Sequence, residues 1–82
     1  SGNGEQMAAN KVKGIRAALA WSVETAKLAK EHNNANVIAV GGRMHEISFV
    51  NEIIDAFISE PFSHDERHVR RIKKISDFEN KG

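Results

Sequence analysis

The sequence predicts an α/β chain built on parallel strands. Two short apolar runs, 15–21 and 37–40, alternate with stretches of helical periodicity. Strands that alternate with helices are joined by crossovers that leave the strands parallel. A further observation bears on extent. A glycine-rich loop entering a helix ordinarily follows a strand, and none precedes this one; two parallel strands are also too few for a sheet that needs both faces covered. The 82 residues are therefore expected to form the C-terminal part of one larger α/β domain.

The elements follow in order. Ser1-Gly2-Asn3-Gly4 opens a helix-compatible stretch over 5–11. The run 15–21, bounded by Gly14 and Ser22, suits a short buried strand. Ser22 is a natural N-cap for a helix over 23–31, with Glu24 where the helix dipole favours negative charge. Val23, Ala26 and Ala29 share one side of that helix, with Leu28 beside them, and Asn33-Asn34 ends it. The second strand, 37–40, stops at Gly41-Gly42. Ile47, Val50, Ile54, Phe57 and Ile58 then recur with a helical period, Ser48, Asn51, Glu52 and Asp55 face the other way, and Pro61 ends the helix. A last helix begins near Asp65-Glu66 and carries a narrow stripe of Val69, Ile72, Ile75 and Phe78.

Composition excludes several classes. The formal net charge of +1 supplies no global field, which argues against a nucleic-acid coat and a polybasic membrane anchor. The absence of cysteine removes a disulfide framework, a thiolate zinc site and a cysteine nucleophile. Charged residues at 28% and hydrophobic ones at 40% are ordinary for a soluble chain. No apolar run approaches the roughly 18 residues of a membrane span, and there is no signal-peptide core, so a cytoplasmic location is expected. A chain this short buries only about 60–65% of its unfolded surface. The remaining stability is expected from more chain or another subunit.

Four constellations could carry chemistry. In Ser1-Gly2-Asn3-Gly4-Glu5, glycines allow backbone N–H groups to converge into an anion nest at a helix N-terminus, with a carboxylate just inside as a general base. The same Glu5 could instead only compensate the helix dipole. His32-Asn33-Asn34 reads either as helix termination or as a proton-transferring imidazole beside an amide that orients a hydroxyl. Gly41-Gly42-Arg43 follows a parallel strand, where open α/β sheets bind ligands, so Arg43 is a candidate contact for an anionic substrate; His45 reads as a helix N-terminal or surface residue. The stretch 67–74 holds five of the 12 basic residues. It is a solvated face, a nucleic-acid patch without aromatic interleaving, or a phosphate clamp in which Arg67 and Arg71, four residues apart, leave one face.

Taken together, Gly2-Asn3-Gly4-Glu5-Gln6-Met7-Ala8-Ala9-Asn10-Lys11-Val12, Gly14-Ile15-Arg16-Ala17-Ala18-Leu19-Ala20-Trp21, Ala29-Lys30-Glu31-His32-Asn33-Asn34-Ala35, Gly41-Gly42-Arg43 and Arg67-His68-Val69-Arg70-Arg71-Ile72 resemble the B-type ribose-5-phosphate isomerases. The wider family includes isomerases of galactose 6-phosphate and allose 6-phosphate. Glu5-Gln6 and Trp21 resemble the actinobacterial-type branch. The resemblance implies a Rossmann-like three-layer sandwich with a parallel sheet, acting as a homodimer or tetramer with no metal or organic cofactor. Residues 1–62 would be the α/β portion and 63–82 a helical arm reaching the other subunit, with an N-terminal half of the same domain completing the fold.

Many members use a cysteine upstream of the loop as base; this chain has none, and in the resembling branch a glutamate aligned with Glu5 does the work. Ser1, Gly2, Asn3 and Gly4 would form the anion hole and His32 would assist ring opening. Asn33 would orient hydroxyls, and Arg43, Arg67 and Arg71 would hold the phosphate, some across the dimer interface. The expected activity is interconversion of ribose 5-phosphate and ribulose 5-phosphate through an enediolate. Two other classes remain open: a non-catalytic sugar-phosphate-binding or dimerisation fragment, and a nucleic-acid-binding helix, which composition disfavours.

Overall fold

The computed structural model describes residues 2–41 and 46–81; Ser1, Gly42, Arg43, His45 and their neighbour Met44, and Gly82 lie outside the described residues. The element order is α1 (Asn3–Ala9), β1 (Ala17–Leu19), α2 (Val23–Asn33), β2 (Val37–Ala39), α3 (Ile47–Ser59) and α4 (Glu66–Glu79). The two strands pair in parallel, Ala17 opposite Val37 and Leu19 opposite Ala39, with α2 as the crossover.

The first strand is shorter than the apolar run that announced it, because side chains take over the main chain at both ends. Asn36 Oδ1 accepts the Arg16 N–H at 2.8 Å, and Trp21 N–H donates to Thr25 Oγ1 at 3.1 Å, turning the chain into α2. Ser22 caps α2 as expected, in a full capping box: Ser22 Oγ accepts from Thr25 N–H and Thr25 Oγ1 accepts from Ser22 N–H, both at 3.1 Å. The far end closes on Asn34 in the left-handed region, φ 45°. There the Arg16 guanidinium donates to the Asn33 and Asn34 carbonyls at 3.1 and 2.9 Å, supplying partners for groups that a helix end leaves free.

Successive strand residues face opposite sides. Ala18, Ala20, Ile38 and Val40 pack with Ala26 and Ala29 of α2 and with Ile53 and Phe57 of α3, forming the core. Leu19 faces the other side, toward Gly2 at the head of α1. Arg16 and Ala20 hydrogen-bond to the β2 side, so Ala17 turns its main chain to the outer edge. Asn10 meets it there: its Oδ1 accepts the Ala17 N–H at 2.8 Å and its Nδ2 donates to the Ala17 carbonyl at 2.9 Å.

Two expected faces need correction. In α3, Ile53 and Phe57 are buried with Phe49 and Ala56 packed beside them, whereas Ile47 and Ile58 are exposed. The helix is apolar on more than one side, and the small Ala26–Ala29 surface of α2 admits the face one residue earlier than the periodicity suggested. In α4, Val69, Ile75 and Phe78 are exposed and the buried residue is His68. No helix among the described residues is long and apolar enough to cross a membrane.

Candidate active site

The glycine-rich loop lands at the C-terminal ends of both strands. Gly2 takes φ +90° as the N-cap of α1. A β-carbon on it would sit 2.8 Å from Leu19 Cδ1, 3.4 Å from the Gly41 nitrogen and 3.5 Å from the Val40 carbonyl carbon. Backbone conformation and close approach together therefore call for glycine. The first helical bond runs from Gln6 N–H to the Gly2 carbonyl at 3.0 Å, so the N–H groups of Asn3, Gly4 and Glu5 have no partner within the helix. Glu5 lies in the first turn, exposed, and makes no ion pair among the described residues. Gly4 is different: it is helical, and a β-carbon there would meet nothing within 4 Å.

His32 and Asn33 occupy the last turn of α2. His32 Nε2 lies 3.6 Å from Glu31 Oε1, and the His32 ring stacks on the His68 ring with centroids 4.4 Å apart. His68 is 6% exposed, and its Nδ1 lies 2.7 Å from Ser63 Oγ. Ser63 Oγ also accepts the Asp65 N–H at 3.1 Å, so the hydroxyl ties His68 to the turn that opens α4. Burial holds His68 below the usual imidazole pKa of 6.5, aided by the fields of His32, Arg67 and Arg71 and opposed by Asp65. Arg67 and Arg71 flank His68 on α4, both exposed, with Arg67 NH2 at 3.7 Å from Asp65 Oδ2. Arg43 and Ser1 lie outside the described residues.

These residues form two groups rather than one. Gly2 and Glu5 lie at the C-terminal ends of the strands, beside Val40 and Gly41. His32 and Asn33 lie at the opposite ends, where Arg16 and Asn36 bind the close of α2. The separation is about the length of the 11-residue α2, roughly 16 Å. A ligand shorter than that span reaches only one of the two groups within a chain.

A groove of about 1000 Å³ lies between α1, the start of β1 and the end of α4. Gln6, Asn10, Ala17, Leu19, Ile75 and Phe78 line it, and Asn33 is the one candidate site residue at its wall, so its size does not make it the reaction site. Among the described residues no group of three or more histidine, aspartate and glutamate side chains could hold a metal ion. Sequence reasoning missed His68 and Ser63 as members of the His32 group. The signal was available: His68 precedes Ile72 and Ile75 at i, i+4 and i+7, so it extends an apolar face by one turn.

Ligands of open parallel α/β sheets bind beyond the C-terminal ends of the strands, and the parallel pair with its crossover helix and the glycine-headed helix at those ends define an α/β chain of that class. The Ribose/Galactose Isomerase family matches residues 1–75, and the chain belongs to that family. It is 61% identical to ribose-5-phosphate isomerase B of Mycobacterium leprae over 79 residues, covering 96% of this chain and 49% of that protein. The type B ribose 5-phosphate isomerase structure from Trypanosoma cruzi superposes with a TM-score of 0.96 at 48% identity, covering 100% of this chain and 55% of that one. The Mycoplasma genitalium ribose-5-phosphate isomerase B with bound ribulose-5-phosphate superposes at 0.93 with 46% identity, covering 99% and 53%. The chain thus spans about half the length of the relatives it matches.

Proposed function

We propose that this chain carries the base and the phosphate-binding arm of an aldose–ketose isomerase that interconverts ribose 5-phosphate and ribulose 5-phosphate. The observation that carries the reading is Gly2, in the left-handed region against the strand ends, which sets Glu5 beside the free N–H groups of the first turn. Glu5 removes the C2 proton of the open-chain aldose. The C–H electrons form the C1–C2 double bond, and the carbonyl electrons move onto O1. Ser1 and the N–H groups at Gly2, Asn3 and Gly4 stabilise that enediolate charge; loss of one such donor costs about 10²–10³ in rate in other enzymes. A proton passes from O2 to O1, the O2 electrons re-form a carbonyl at C2, and Glu5 returns its proton to C1. One carboxylate suffices, because the base of the first half is the acid of the second. His32 assists ring opening and Asn33 orients hydroxyls. Arg43, Arg67 and Arg71 hold the phosphate, whose remote binding energy aids the reacting end.

The distance between the two groups supports a site shared between copies in a homodimer. Glu5 of one protomer would work with His32, Arg67 and Arg71 of its partner, with residues 63–82 as the arm. In this reading residues 1–82 are the C-terminal half of a single isomerase domain acting without metal or cofactor.

Glu5→Gln in the full-length protein should lower kcat by roughly 10³ or more with little change in substrate binding. Near-normal turnover would remove Glu5 as the base. Mixing Glu5→Gln with His32→Ala protomers should restore about a quarter of native turnover, because each mixed dimer rebuilds one intact shared site. No recovery on mixing would place each site within one protomer. Parallel rates on galactose 6-phosphate and allose 6-phosphate decide the sugar.

A further inference from the structure

We propose that His68 is a positioning residue for His32, holding its imidazole by a ring contact that the Ser63 hydroxyl locks in place. The inference rests on the reading of His32 as the ring-opening group. The contacts close a circuit between α2, the loop before α4, and α4. Ser63 N–H donates to the Glu31 carbonyl at 3.0 Å, Ser63 Oγ meets His68 Nδ1 at 2.7 Å, and the His68 ring lies 4.4 Å from the ring of His32, the residue after Glu31. Each link fixes the next.

Packing alone does not account for a histidine here. The position is 6% exposed on the face that Ile72 and Ile75 continue, where an aliphatic side chain would be buried without an unpaired polar atom. The imidazole instead requires a partner, and Ser63 is held by its own N–H so as to supply one. The charged and titratable groups around the pair are Glu31 and His32 itself from α2, Asp65 at the N-cap of α4, and Arg67 and Arg71 from α4. Arg67 and Arg71 disfavour a positive charge on His68, while His32 is only part-buried and has Glu31 Oε1 at 3.6 Å.

The test uses the full-length protein in both reaction directions. Ribose 5-phosphate arrives mainly as a closed furanose, whereas ribulose 5-phosphate, its 5-oxygen phosphorylated, cannot close that ring. A defect in ring opening therefore slows net isomerisation, by the same factor in kcat/KM in both directions, but spares exchange of a C1 proton of the ketose through the enediolate. His68→Ala should lower kcat for ribose 5-phosphate by about tenfold or more, the scale of a misplaced catalytic group, with KM within about twofold, while uptake of solvent deuterium at C1 of ribulose 5-phosphate stays within about threefold. His68→Phe keeps a flat ring and should recover most of that loss. Ser63→Ala should show the same slowed isomerisation with spared deuterium uptake, more weakly, and it carries the test if His68→Ala does not fold.

An unchanged aldose kcat in His68→Ala, an equal loss of deuterium uptake into the ketose, or a change in KM alone would overturn the proposal. A His68→Phe protein no better than His68→Ala would also overturn it. His32→Ala separates the two readings. If it spares aldose turnover, the role of His32 itself fails; if it is slow while His68→Ala and Ser63→Ala are normal, only the positioning role of His68 fails.

Discussion

Gly2 and Gly4 are equivalent in the sequence and unequal in the structure. Gly2 has φ +90° and would force a β-carbon against Leu19 and the Gly41 nitrogen, whereas Gly4 sits in open space in a helical turn. The glycine pattern was legible as composition, but which glycine is required depends on where β2 ends, and no local pattern encodes that. The proposed phosphate clamp has the same character. Arg67 and Arg71 share a helical face by spacing alone, and the structure adds that Arg67 is held near Asp65 while Arg71 makes no ion pair among the described residues. Arg71→Ala should raise KM for the phosphorylated sugar roughly 10–100-fold, as for a lost charged hydrogen bond of about 1.5–3 kcal/mol. Arg70→Ala removes an equal charge from another face and should leave KM near normal. Inorganic phosphate competition on the two variants checks this, and equal weakening would identify a diffuse basic patch instead of a clamp.

At the scale of elements, start signals were more legible than faces. Ser22, Glu24 and the stop at Asn34 read directly, because caps are set by bonds within a few residues. The buried face of α3 did not, because Ile47, Val50, Ile54 and Ile58 offer a second apolar surface and only the alanine side of α2 selects between them. In α4 the exposed stripe and buried His68 reverse the expectation. That burial has a pH consequence. Folding lowers the His68 pKa below 6.5, so between those values the unfolded chain binds the extra proton. The contribution is intact above about pH 6.5 and is lost as pH falls through that value toward the folded pKa. The thermal midpoint of the full-length protein should drop between pH 7.5 and 5.5 by more than that of His68→Phe. Parallel pH curves for the two proteins would remove His68 as the sensitive group.

For the molecule as a whole, the structure has a small core and large apolar side chains left open. Ile53 is the one large side chain among the described residues that is fully buried, and much of the core is alanine. Met7, Trp21, Ile47, Ile58 and Phe78 are all more than half exposed, and the groove beside β1 is walled by Ile75 and Phe78. Which surfaces stay open was not legible, because periodicity marks a face as apolar without naming what it meets. Burial of a large aliphatic or aromatic side chain contributes about 1.5–3 kcal/mol, so leaving several exposed forgoes energy comparable with the whole stability of a small domain. Produced as these 82 residues alone, the chain should self-associate. Light scattering should report a mass above the monomer, and dilution should lower the thermal midpoint, since association that stabilises the fold follows mass action. A concentration-independent, two-state melt of a monomer would mean that the small alanine-rich core suffices, and the exposed faces would then need another explanation.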